Sequence, residues 1–222
     1  IDGVGWDFME PIASLDCLLW IDSLVWNGYT FYNGRFMISL YDGDLLVEGV
    51  CADTLVDFRL RTFVNYSPYH VKGEIYADVV NVDMQALGLS DTMLHPSGQC
   101  TFSFKADTSG VYMLHGGCYD LFLVTSQQTI HPHPLDISIW LARDSLSVNL
   151  NSGDMLIEAS IPAAGHPWEW RTLSDTLLWG KMMDGAQIRV DMGTDNTISN
   201  YLSLFDVNLS HLFVQMDGRA NS

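Results

Sequence analysis

Period-two alternation of apolar and polar residues runs through most of this chain and constrains its fold more than any other feature. In VDFRLRTFV, apolar Val56, Phe58 and Leu60 alternate with polar Asp57, Arg59 and Arg61. Val71, Gly73, Ile75, Ala77 and Val79 then alternate with His70, Lys72, Glu74, Tyr76 and Asp78. CTFSFKA sets Cys100, Phe102, Phe104 and Ala106 against Thr101, Ser103 and Lys105. LDISIWLA and LSVNLNS repeat the pattern through Leu135, Ile137, Ile139, Leu141, Leu146, Val148 and Leu150, joined by a tight ARDS turn. MLIEASI adds Met155, Ile157, Ala159 and Ile161. Successive side chains of a strand point to opposite faces, so each segment predicts a strand with one dry face. RFMISLYDGDLLVEGVC reads as a hairpin about Asp42-Gly43-Asp44, a good turn signal. The whole predicts a mainly β chain: an elongated, curved antiparallel sheet, groove-like, with a few short amphipathic helices.

Three segments leave the period. NVDMQALGLSD, from Asn81 to Asp91, predicts one helical turn with Asp83 as N-cap and Gly88 as left-handed stop, Leu87 and Leu89 pointing inward. HPWEWRTLSDTLLWGKMMDG places Pro167 at a helix start, Trp170, Leu173 and Leu177 at helical spacing, and Gly185 at the stop. TDNTISNYLSLF offers Asp195 or Asn196 as N-cap before Ile198, Tyr201, Leu202 and Phe205, and DVNLSHLFVQM predicts a strand after it. The expected organisation is a β-meander repeat unit over 1–165, then over 166–222 a connecting helix and the start of a further helix-strand unit.

More than a dozen large apolar side chains share the dry faces, and burying each is worth about 1.5–3 kcal/mol. Something must cover them: a second half of the sheet folded over, the amphipathic helices, or an apolar ligand. Composition narrows the partners. With 48% apolar and 17% charged residues the chain can bury a core. Its 27 acidic against 10 basic residues, a formal net charge of −17, repel phosphate backbones and anionic headgroups and argue against nucleic acid. No apolar run approaches ~18 residues, so no transmembrane segment is expected, and IDGVGWDFME lacks the basic start and long apolar stretch of a signal peptide. The missing initial methionine and the abrupt DGRANS read as a fragment of a larger chain.

Cys17, Cys51, Cys100 and Cys118 form no C-x-x-C pair, so neither a zinc ribbon nor a redox motif is indicated. If ADTSGV turns a hairpin with Ala106 facing Val111, Cys100 lies opposite Gly117, and a bulge at Gly116-Gly117 would bring Cys118 into register for a disulfide. Small buried thiols are the other reading, and the spacing leaves both open.

Polar chemistry finds little support. His131 and His133 of HPHP share one side of an extended segment, as metal ligands do, but a proline-rich loop with exposed imidazoles accounts for them. Glu48, Asp57, Glu74 and Asp78 occupy strand positions where a glycosidase pair could sit, yet outward-facing carboxylates on a sheet explain them as well. No G-x-S-x-G, H-E-x-x-H or P-loop occurs, so no enzyme, cofactor or metal site is read. Seven tryptophans and nine tyrosines raise an alternative, a carbohydrate-binding β-sandwich module of a secreted or surface protein. Trp168, Trp170 and Trp179 fall on the expected helix, and Trp20 and Trp140 stand isolated on polar faces, so packing is the simpler account for most.

The succession SLVWNGYTFYNGRFMISLYDGDLLVEG, YHVKGEIYADVVNVDMQALGLSD, GQCTFSFKADTSGVYMLHGGCYDLFLVTS and LSVNLNSGDMLIEASI resembles the periplasmic repeat region of TamB-type translocation and assembly module proteins, within the AsmA-like superfamily, in their Bacteroidetes form. DMQALGL after a strand, and NSGDMLIEASI leading into a helix, carry most of the likeness, which extends from about Asp22 onward. The resemblance implies a periplasmic segment of a protein anchored in the inner membrane. It implies a β-sheet groove that conducts phospholipid between inner and outer membranes, assists outer-membrane protein assembly, or both. The partners would be phospholipid acyl chains and an outer-membrane assembly factor, with no catalytic residue. Mapped onto this chain, the groove lining is Val56, Phe58, Leu60, Val71, Ile75, Val79, Phe102, Phe104, Ile137, Ile139, Leu141, Val148, Leu150 and Ile157.

Overall fold

The computed structural model describes residues 2–4, 13–26, 28–142, 144–162, 185–204, 207, 209 and 211–217. They form one antiparallel sheet in which nearly every strand pairs with its neighbours in sequence. The strands are β1 (Asp2–Val4), β2 (Ser14–Trp26), β3 (Tyr29–Tyr41), β4 (Asp44–Ala52), β5 (Val56–Ser67), β6 (His70–Val82) and β7 (Leu94–Asp107). After them come β8 (Tyr112–Thr125), β9 (Thr129–Ile130), β10 (Leu135–Leu141), β11 (Ser145–Ser152), β12 (Met155–Pro162), β13 (Gln187–Met192) and β14 (Leu212–Asp217). Only β9 stands off the path, pairing with β8, so that β10 follows β8 in the sheet.

The chain divides into two compact units, one of 1–103 with 118–132 and the other of 104–117 with 133–222. The boundary expected at residue 165 and the helix expected from Pro167 lie outside the described residues.

Turn chemistry sets the register in the first unit. Tyr41 pairs with Asp44 across a two-residue loop, and Asp42 and Gly43 both take positive φ, 49° and 78°. Such a turn twists with its strands, which is why an Asp-Gly pair serves here. Gly43 is also pressed against β5: a Cβ there would lie 2.5 Å from the Tyr66 carbonyl oxygen. The β5–β6 ladder shifts register once, between Asp57 opposite Asn81 and Phe58 opposite Val79, leaving Val80 as the extra residue of a bulge.

The interruption after β6 is a single turn capped at both ends. Asp83 Oδ1 accepts the Ala86 amide at 2.8 Å, and the Leu87 amide donates to the Asp83 carbonyl at 3.1 Å. At the other end Gly88, with φ 69°, donates to the Gln85 carbonyl, and Leu89 donates to Met84. Those two bonds satisfy the carbonyls that a helix end otherwise leaves unpaired. Leu87 is buried as expected. Leu89 is not: it is 59% exposed, because the chain reverses at Gly88 and carries the next residue out to solvent.

Asp107 builds the β7–β8 turn, its Oδ1 accepting the Ser109 hydroxyl and the Ser109 and Val111 amides. These bonds, the Ser109 hydroxyl first, hold its carboxyl below the ordinary range. Cys100 and Cys118 are joined in a disulfide, with Cα atoms 4.1 Å apart. The Asp107 amide donates to the Val111 carbonyl, a register one residue off the expected Ala106–Val111 pairing. Counted along the two strands from that bond, Cys100 stands opposite Cys118, in keeping with the disulfide.

In the second unit, the one helix among the described residues, Thr197–Ser203, follows N-cap Asn196, whose Oδ1 accepts the Ser199 amide at 2.8 Å. Asn196 is wholly buried, and its Nδ2 donates both to Asp154 Oδ1 at 2.9 Å and to the Gly193 carbonyl at 3.0 Å. Asp154 Oδ2 accepts the Asp195 amide at 3.0 Å. Its carboxyl therefore sits below the usual carboxylate range, the Asn196 amide group being the main cause.

Candidate functional site

The registers show which expected lining residues share a surface. In the first unit, one row across β2 to β6 reads Ile21, Gly34, Cys51, Phe58, Val79, and the next reads Leu19, Phe36, Gly49, Leu60, Ala77. A third reads Cys17, Ile38, Val47, Thr62, Ile75. In the second unit, Ile137, Leu150, Ile157, Val190 and Val214 form a row across β10 to β14, with Ile139, Val148, Ala159, Ile188 and Met216 beside it. Strands lie about 4.8 Å apart, so each apolar stripe is about 19 Å wide. Leu141 continues the second surface through its pairing with Leu146, which faces Ile161.

Burial follows the alternation along most of these strands. All fourteen expected lining residues, Val71, Phe102 and Phe104 among them, are half-buried, none sealed and none fully exposed. Of their outward neighbours, Arg59, Arg61, Thr101, Ser103, Lys105, Asp136, Ser138 and Asn149 are exposed, whereas Asp57, Asp78 and Glu158 are half-buried. A closed core holds its apolar side chains out of water altogether, whereas this face leaves part of the ~1.5–3 kcal/mol per side chain unrealised. An apolar pocket of about 250 Å³ opens on the first unit's face among Ile21, Leu24, Phe31, Phe36, Val56 and Phe58.

Polar groups at this pocket serve the backbone. Asp53, buried in the turn between β4 and β5, accepts the Tyr32 amide at 2.8 Å and the Leu55 amide at 2.7 Å. Burial, with the Asp53 charge beside it, pushes the Cys51 thiol upward, so it remains protonated and behaves as a small apolar group.

Two carboxylates on the outward side act as cross-strand partners: Glu48 meets Arg61 at 3.2 Å, and Glu158 meets Arg189 at 3.8 Å. His131 packs edge-on against Phe122 with ring centroids 4.6 Å apart, while His133 Nε2 lies 2.8 Å from Asp195 Oδ1. The two imidazoles thus serve separate local structures. Among the described residues no group of three His, Cys, Asp or Glu side chains could hold a metal ion. Trp20 and Trp140 are exposed, and the Arg35 guanidinium lies 5.0 Å from the Trp20 ring centroid.

Sequence reasoning missed the share of this surface that β2 contributes. CLLWI is a continuous apolar run, which hides the period even though Cys17, Leu19 and Ile21 stand in the rows. The alternation of Phe36, Ile38 and Leu40 could have placed β3 in it. Comparison with protein-family models, with curated proteins and with solved structures finds no match.

Proposed function

We propose that this chain is a non-enzymatic segment of a TamB-type, AsmA-like envelope protein of the Bacteroidetes form, and that its apolar face holds phospholipid acyl chains in transit between inner and outer membranes. The observation carrying this reading is the uniform half-burial of the fourteen lining residues, nine of which stand in the five-strand rows described above, where Thr62 is the polar member. A surface of that kind keeps a driving force in reserve for an apolar ligand and imposes no fixed shape on it. Catalysis, a metal and a cofactor play no part, and assistance to outer-membrane protein assembly would use the same face.

The Cys100–Cys118 disulfide supports a periplasmic setting, since such bonds persist in oxidising compartments. The test is the native mass spectrum of the purified chain, with photocrosslinkers at Phe58 and Phe102. Bound phospholipid and acyl adducts at both positions are expected. Retention of sugar through Trp20 or Trp140 with no acyl adduct would replace this reading with the glycan-binding one.

A further inference from the structure

Charge marks the outward face of the first unit, where Glu48, Arg59, Arg61 and Glu74 stand, but amides and hydroxyls mark that of the second. Across β10 to β13 one outward row reads Trp140, Ser147, Ser160, Gln187. The next, reaching β14, reads Ser138, Asn149, Glu158, Arg189, Gln215. Glu158 is half-buried and the others are exposed. A hollow of about 410 Å³ opens among Asn149, Glu158, Ser160, Gln187, Arg189 and Gln215. Trp140 is 49% exposed at one end of this surface, and Phe213, on the same face of β14, is 53% exposed at the other. The five strands between them span about 19 Å.

We infer that this face of the second unit binds a neutral oligosaccharide, its rings stacked on Trp140 and Phe213 and its hydroxyl groups bonded to the amides and hydroxyls between them. Among the described residues no hydrogen bond engages the side chains of Ser138, Ser147, Asn149, Ser160, Gln187 or Gln215. Each can both donate and accept, as a sugar hydroxyl does. Neutrality of the ligand follows from the charges. Arg189, the cation of these rows, is already matched, with Nη1 3.8 Å from Glu158 Oε2 and Nη2 3.7 Å from Asp191 Oδ2. An anionic ligand would meet that matched arginine on a chain of net charge −17. An acyl chain would strip water from the amides and hydroxyls and offer no hydrogen bond in return. Sugar hydroxyls replace that water bond for bond, and the Glu158–Arg189 pair adds charge-assisted bonds to them. The apolar side of a sugar ring packs on an exposed indole. This face lies opposite the apolar rows of the same unit, so the inference is independent of the lipid reading.

The probes are cellohexaose, maltohexaose, laminarihexaose and mannohexaose, titrated into the whole chain by calorimetry, with hexagalacturonate as the anionic control. At least one neutral probe is expected to bind, and hexagalacturonate to bind at least tenfold more weakly. Trp140→Ala is expected to weaken binding at least tenfold. So is the double variant Asn149→Ala, Gln187→Ala, which leaves the indole in place and keeps the test open if the first variant loses its native β spectrum. Trp20→Ala, at an exposed indole of the first unit, is expected to leave affinity unchanged. Failure of all four neutral probes to bind would overturn the inference. So would equal binding of hexagalacturonate, undiminished binding by the folded variants of the second unit, or loss of binding in Trp20→Ala. Acyl adducts at Phe58 report on the lipid reading alone, whichever way the sugars behave.

Discussion

The Phe36 ring occupies the space that a side chain at residue 49 would need: a Cβ built on Gly49 lies 2.7 Å from Phe36 Cδ1. The two residues face each other across β3 and β4. A glycine weakens a strand, and an aromatic ring laid over it from the neighbouring strand restores contact on that face. Gly49→Ala is therefore expected to destabilise the protein by about 1–3 kcal/mol, measured by urea unfolding. In a Phe36→Leu background the added cost should shrink, and additive costs would show that the two positions are not coupled.

Face assignment makes a sharper demand. Phe58→Asp and Ile139→Asp each place a carboxylate in an apolar row and are expected to cost about 2 kcal/mol or more, with loss of retained phospholipid. Arg59→Ala, on the exposed side of the same strand as Phe58, should change stability by no more than about 0.5 kcal/mol. Thermal unfolding and lipid extraction check both. Indifference of stability and lipid retention to the two aspartates would refute the assignment.

The Cys100–Cys118 bond closes a loop with a sequence separation of 18. Chain-entropy arguments give a crosslink of that span about 3 kcal/mol. Melting with and without a phosphine reductant should show a loss of that order. Cys17→Ser, at a half-buried free thiol, should leave the reductant effect intact.

Asn196→Ala removes a buried cap that serves the helix, Asp154 and Gly193 together, and is expected to cost about 1–2 kcal/mol. Asp154 adds a pH dependence. Its folded-state pKa lies below the ordinary 3.8. Its contribution is thus fully present above that value and is lost as pH falls through the folded pKa. Between about pH 5 and pH 2 the wild type should lose stability faster than Asp154→Asn, as read from denaturation midpoints across that range.

Local signals carried most of the architecture. Strands β5, β6, β7, β10, β11 and β12 were legible because one wet and one dry face impose a period of two on neighbouring residues. Asp83, Gly88 and Asn196 were legible because backbone geometry at a helix end restricts the residue types that fit. Long-range choices were not. The fate of Leu89 depends on the path of the chain after Gly88. The Cys100–Cys118 pairing depends on which amide at the turn meets the Val111 carbonyl, a one-residue question that alternation alone does not answer. Nor could Asp53 be singled out, since one partner amide, Leu55, lies in its own turn but the other, Tyr32, lies on β3 and is brought to it by the fold.

A sheet whose strands hydrogen-bond their neighbours in sequence, with β9 alone standing aside, has a consequence for how such a chain can form and change. Each hairpin can zip onto the one before it without threading, which keeps loop-closure entropy low and favours rapid assembly. The same wiring lets lineages gain or drop a hairpin without rerouting the rest, so length can drift while the local pleat persists.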